Sequence, residues 1–158
     1  MQMENLTNEE ILAGGILGGI SIGVVLVCSL IWLIFQIIAM WKIFNKADKP
    51  GWHSIIPILN VYDLFDICWK GVYGILMLIF AALSSLASNY YQQDPSSMLM
   101  AVMSISSIAV VVISIIGLHK LSKSFGHGIG FTIGLILLEP IFLLVLGFGS
   151  SRYIGKDM

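Results

Sequence analysis

Hydrophobic and polar positions fall into long separate blocks along this chain. From Ile11 to Trp41 no charged side chain interrupts the apolar run, which ends at Lys42, Lys46, Asp48 and Lys49. A bilayer core needs about 20 apolar residues, so a span is predicted over residues 16–41, tilted or beginning outside the hydrocarbon. Later apolar blocks predict spans over 71–88, 98–118 and 129–146. "NYYQQDPSS" and "HKLSKSFGHG" separate them, and the tail "GFGSSRYIGKDM" follows the last. No internal repeat or low-complexity segment is visible.

Between the first two blocks lies "NKADKPGWHSIIPILNVYDLFDICWK", residues 45–70. Placed on a helix over 53–69, Ile55, Ile58, Tyr62, Phe65 and Trp69 share one arc, the spacing of an amphipathic helix. His53, Asn60, Asp63 and Lys70 gather on the other side, with Asp66 at the border. Pro50 and Gly51 break the chain before it, and Pro57 fits a first helical turn, where its missing N–H costs nothing, or else kinks the helix. The expected architecture is all-α: an integral membrane four-helix bundle, one domain over 1–158, with an added interfacial or re-entrant amphipathic helix after the first span. The polar side of that helix is expected to be a solvated cytoplasmic face.

Composition agrees with a membrane protein. The chain is 58% hydrophobic and 11% charged, with a mean hydropathy of +0.95. Its net charge of −1 gives no argument for a nucleic-acid partner. The expected partners are the lipid bilayer and either a second copy or another membrane protein. "MQMENLTNEE" carries acids and no Lys or Arg, so no cleaved leader is expected there. Positive residues set orientation. Lys42, Lys46, Lys49, Lys70, Lys120 and Lys123 fall in two loops on one side of a four-span chain, and Arg152 and Lys156 lie in the tail. Both termini are therefore expected outside a bacterial cell membrane, with residues 45–70 in the cytoplasm.

"WKIFNKADKPGWHSIIPILNVYDL" (Trp41 to Leu64), followed by "LGFGSSRYIG" (Leu146 to Gly155), resembles a family of bacterial membrane domains of unknown function. Similar domains precede some type I signal peptidases, whose Ser–Lys chemistry lies in a separate downstream domain. The resemblance implies an all-helical multi-pass domain and brings no activity with it. The family's usual glycine after "KA" is Asp48 here, and its usual tyrosine before the asparagine is Leu59.

Few residues carry candidate chemistry. Glu139 lies midway along the fourth block, beside Pro140. An intramembrane carboxylate costs several kcal/mol and faces a cavity or a partner. It is a candidate proton or cation site with Gln36 as partner, or else a neutral acid hydrogen-bonded to a neighbour. Asp63, Asp66, His53 and Asn60 supply too few oxygens for a hard cation. His119 and His127 flank a Gly-rich turn, and Cys28 and Cys68 read as buried thiols. Gly15, Gly19 and Gly23 form GxxxGxxxG, which lets another helix approach closely, from this chain or another. No nucleophile–base pair, phosphate loop, metal site or cofactor motif appears, and nothing argues for an enzyme. Three functions remain: an interaction or scaffold module, which is favoured; a small proton- or cation-coupled transporter or channel built on Glu139; and lipid binding or remodelling through the interfacial helix.

Overall fold

The computed structural model describes the backbone of residues 8–156 and the side chains of residues 22–156. Its described elements are helical: α1 (Asn8–Lys46), a short 3-10 helix (Gly51–Ile55), α2 (Pro57–Cys68), α3 (Gly71–Tyr91), α4 (Ser97–Ser124), α5 (Ile129–Leu137) and α6 (Glu139–Phe148). The chain divides into two compact units, residues 1–35 and 36–158. In the first, every described side chain from Ile22 to Phe35 is exposed. The remaining elements belong to the second.

Among the described residues, three helices are long and apolar enough to cross a membrane: Ile22–Lys46 within α1, α3 and α4. The expected four-span bundle is therefore corrected. The block at 129–146 does not form one span; it breaks at Leu138 (φ −135°, ψ 47°) into α5 and α6. At 1.5 Å per residue these arms measure about 13 and 15 Å, half of a hydrocarbon core.

The two arms also reverse direction. The Phe131 and Phe142 ring centroids lie 5.1 Å apart, and a side chain at Gly134 would meet the Phe142 ring. At the open end His127 Nε2 is 2.8 Å from Ser151 Oγ, and the Ile154 amide donates to the Ser124 carbonyl at 2.8 Å. A straight helix would hold residues 127 and 151 about 36 Å apart. Pro140 lies in the first turn of α6, where no carbonyl awaits its missing N–H. Gly134 leaves room for the returning ring. A mid-span kink was the expectation; a helical hairpin is the result.

Two turns are fixed by left-handed residues. After α1, Asp48 has φ +56°. The Lys49 amide reaches the Phe44 carbonyl at 2.9 Å and the Asp48 amide reaches Asn45 at 3.4 Å, the Schellman pattern. After α4, Gly126 at φ +75° repeats it, with His127 N to Ser122 O at 3.0 Å and Gly126 N to Lys123 O at 2.9 Å. Aspartate tolerates the left-handed region better than most side chains, so Asp48 serves where a glycine is the easier choice.

Helices α3 and α4 form an antiparallel pair joined by a short turn, and Ser96 caps α4 by accepting from the Leu99 amide at 3.2 Å. Ser84 meets Ser107 at 3.1 Å, and Ser114 Oγ donates to Met77 Sδ at 3.3 Å. In the same register Gly74 and Gly117 both face Phe65 of α2, which fills the space their missing side chains leave.

The core gathers at one end, from Met40, Ile43 and Phe44 of α1, Ile67 and Cys68 of α2, Leu121 of α4, Leu135 of α5, and Leu143 and Leu146 of α6. Helix α6 crosses α1 at Gly147, where an added Cβ would come 2.7 Å from the Ala39 carbonyl oxygen. Lys46 Nζ donates to the carbonyls of Leu146 (2.6 Å) and Gly149 (2.8 Å), satisfying the end of α6 with a cation where the helix dipole favours one.

The tail lies against residues 45–70. Tyr153 Oη donates to the Ile67 carbonyl at 2.7 Å, and Tyr153 packs edge-on to Phe125 at 5.5 Å. It was expected on the opposite side, because a fourth crossing would have carried it there. The hairpin returns it instead.

The expected amphipathic helix over 53–69 is also two pieces, split at Ile56 before Pro57, and Asp63 on its polar side is buried. Asp63 is 3% exposed, whereas Ile55 and Ile58 are 58% and 65% exposed. Asp63 can be buried because His53 and Lys49 meet its charge.

Candidate functional site

Glu139 starts α6 at the closed end of the hairpin, where a carboxylate sits favourably against the helix dipole. It borders a cavity of about 150 Å3 between α2, α3, α4 and the hairpin. Phe65, Cys68, Met77, Ser114 and Leu118 are among its walls. The Cys68 thiol donates to the Leu64 carbonyl at 3.1 Å, and burial pushes it up to about 12. Glu139 itself is exposed and makes no hydrogen bond or ion pair with the described residues. Gln36 stands beside it, but its amide donates to the Pro140 carbonyl at 3.0 Å. Gln36 was expected as a partner of Glu139; its amide instead bonds to the carbonyl of the next residue, Pro140. Gln36 fastens the hairpin tip; the carboxyl stays open.

A second polar group surrounds Asp63 and Asp66. His53 Nδ1 forms a short hydrogen bond with Asp63 Oδ2. Lys49 Nζ lies 2.6 Å from Asp66 Oδ2 and 3.7 Å from Asp63 Oδ1, and Lys156 lies 3.7 Å from Asp66 Oδ1. Asn60 Nδ2 donates to the Ser54 carbonyl at 3.2 Å, tying α2 to the 3-10 helix. The hydrogen bond from Lys49, reinforced by its charge, holds the Asp66 carboxyl below the ordinary range, and the same bond raises Lys49. His53, Asn60, Asp63 and Asp66 are thus all engaged, in joining the chain's turns. Among the described residues no three His, Cys, Asp or Glu side chains converge as metal ligands.

Sequence reasoning missed the partners. Lys49, Lys46 and Lys156 read only as orientation signals, and each, like Tyr153 in the tail, makes a specific contact with this fold. Gly126 beside His127 was the one visible hint of a fixed turn. His119 Nδ1 is 3.2 Å from Thr132 Oγ1, and His127 stacks on Phe131 at 4.1 Å. Both histidines brace the hairpin. The glycine face predicted in α1 lies largely outside the described side chains, at Gly15 and Gly19. A Cβ at Gly23 would meet nothing within 4 Å.

One protein-family profile, described as a family of unknown function (DUF5684), matches residues 52–156. No curated protein and no solved structure matches the chain.

Proposed function

Since this chain belongs to that family of unknown function, a membership that supplies no activity, we propose from its own geometry that it is a membrane-embedded interaction module. One observation carries the reading. Every described side chain from Ile22 to Phe35 is exposed, and the bare backbone at Gly23 has open space around it. Small residues of this kind let helices approach closely in lipid, where packing and not hydrophobicity drives association. The segment is suited to pack against a second copy or another membrane protein, while residues 36–158 form the packed body that carries it.

Crosslinking in native membranes tests this, with Gly23→Leu beside Leu26→Ala. The leucine at position 23 should cut the crosslinked yield several-fold with the thermal midpoint unchanged. Equal yields in both variants would leave the exposed segment facing lipid alone and remove the module reading.

A second reading is supported by a different observation, the cavity at Glu139. A carboxyl on the wall of a small apolar chamber, at the tip of a hairpin too short to cross, suits a proton- or cation-coupled path.

A further inference from the structure

The cavity beside Glu139 combines an unusual set of properties. Its side-chain oxygens come from Glu139 and Ser114; its other side chains are apolar or sulfur-bearing, among them Phe65, Met77, Cys68 and Leu118. A hard metal ion asks for about six or more oxygens, so stripping its water here would go uncompensated. A volume of about 150 Å3 matches that of engineered apolar cavities that take up a benzene-sized molecule. The single acid at the rim is exposed, and the Gln36 amide beside it is spent on the Pro140 carbonyl. Charge, size and apolar walls together call for a ligand that is cationic at one end and greasy at the other.

We propose that this cavity binds the head of a lipophilic monocation, an alkyl- or arylammonium group, with Glu139 as its counter-ion. The inference deepens the second reading above and rests on it for the placement of the site. The ammonium lies against the Glu139 carboxylate, within reach of the Ser114 hydroxyl. Its hydrocarbon part fills the space before Phe65. Because Glu139 sits at the mouth, such a ligand enters from the hydrocarbon side, where lipophilic amines concentrate. An ion pair formed there replaces a lone carboxylate in an apolar setting, a costly state for any membrane protein.

The test uses the full purified chain in nanodiscs, with benzylamine, which is protonated at neutral pH, and benzyl alcohol, a neutral molecule of nearly the same shape. Calorimetry should show benzylammonium binding more tightly than the alcohol. Glu139→Gln should weaken the cation at least about tenfold, as loss of one member of a desolvated charge pair does, and leave the alcohol unaffected. Ser114→Phe, which fills the chamber without touching the acid, should abolish binding of both; each variant's thermal midpoint is measured to confirm that it folds. Equal affinity for the two probes, or a cation unaffected by Glu139→Gln, would reduce the cavity to an apolar void. Binding of neither probe would also overturn the proposal. Benzylammonium flux in proteoliposomes separates the two layers: binding without flux removes the transport reading and leaves the ligand assignment standing.

Discussion

Lys49 illustrates how much a single charge does in this chain. It bridges Asp66 and the buried Asp63, two acids that would otherwise repel each other about one turn apart on α2. Because the Asp66 pKa is lowered in the folded chain, its share of stability is present above the ordinary carboxylate value of about 3.9 and is lost as pH falls through the lowered one. Because the Lys49 pKa is raised, its share is present below about 10.4 and is lost as pH rises through the raised value. Between these limits the pair is intact. Lys49→Met should therefore cost about 1 kcal/mol at neutral pH, the upper end for a partly exposed pair. Thermal melts in detergent should show the gap to the parent closing in acid, beneath about pH 4. A gap of constant size from neutral to acid pH would mean that packing of the lysine stem, and not its charge, is what the substitution removes. The grouping of His53, Asp63 and Asp66 was legible from helical spacing alone. The burial of Asp63 and the partners of Asp66 were not, because Lys49 lies 17 residues from Asp66 and Lys156 lies 90 away.

At the level of elements, the spans that sequence identified are those for which apolar length is decisive. Helices α3 and α4 begin within a residue of the expected starts and run about three and six residues past the expected ends. The hairpin escaped because hydropathy counts residues and is blind to direction: an apolar run of 18 residues has the same composition whether it crosses or returns. The information was present in Gly134, in Phe142 eight positions later, and in Pro140, but only the closed fold shows that the first two meet. Gly147 offers the cleanest check. Leucine there would drive a side chain into the α1 backbone, which cannot turn aside as a side chain can, at a cost of about 1–3 kcal/mol. Gly130, with open space around it, should accept alanine with a gain of up to about 1 kcal/mol from helix propensity. Equal melting of Gly147→Leu and the parent would show that α6 does not rest on α1.

For the molecule as a whole, three crossings and a returning hairpin simplify the charge distribution. Read with four spans, the positive residues divided six to two. With the hairpin in place all eight Lys and Arg gather at the end where α2, the tail and the C-terminal ends of α1 and α4 meet, and Asp94 marks the other end of the α3–α4 pair. Such one-sidedness is what the positive-inside rule describes, and it predicts that this end faces the cytoplasm. Cysteines introduced at Lys70, Lys123 and Arg152 should share one response to an impermeant thiol reagent in intact cells, protected, while one at Asp94 should label. Labelling at Arg152 together with Asp94 would restore a fourth crossing.

The hairpin also bears on how the chain is made. Neither arm is long enough to be retained as a transmembrane segment during synthesis, and its anchorage comes from α1: Ala39 beneath Gly147, and Lys46 on carbonyls 100 and 103 residues further on. In synthesis α1, α3 and α4 precede α5 and α6, which must then dock against α1. Until they do, Glu139 and about 20 apolar residues wait at the insertion machinery with no stable place in the lipid. Maturation should then be limited by a late docking step, and a quality-control protease that samples nascent membrane proteins would meet this hairpin first.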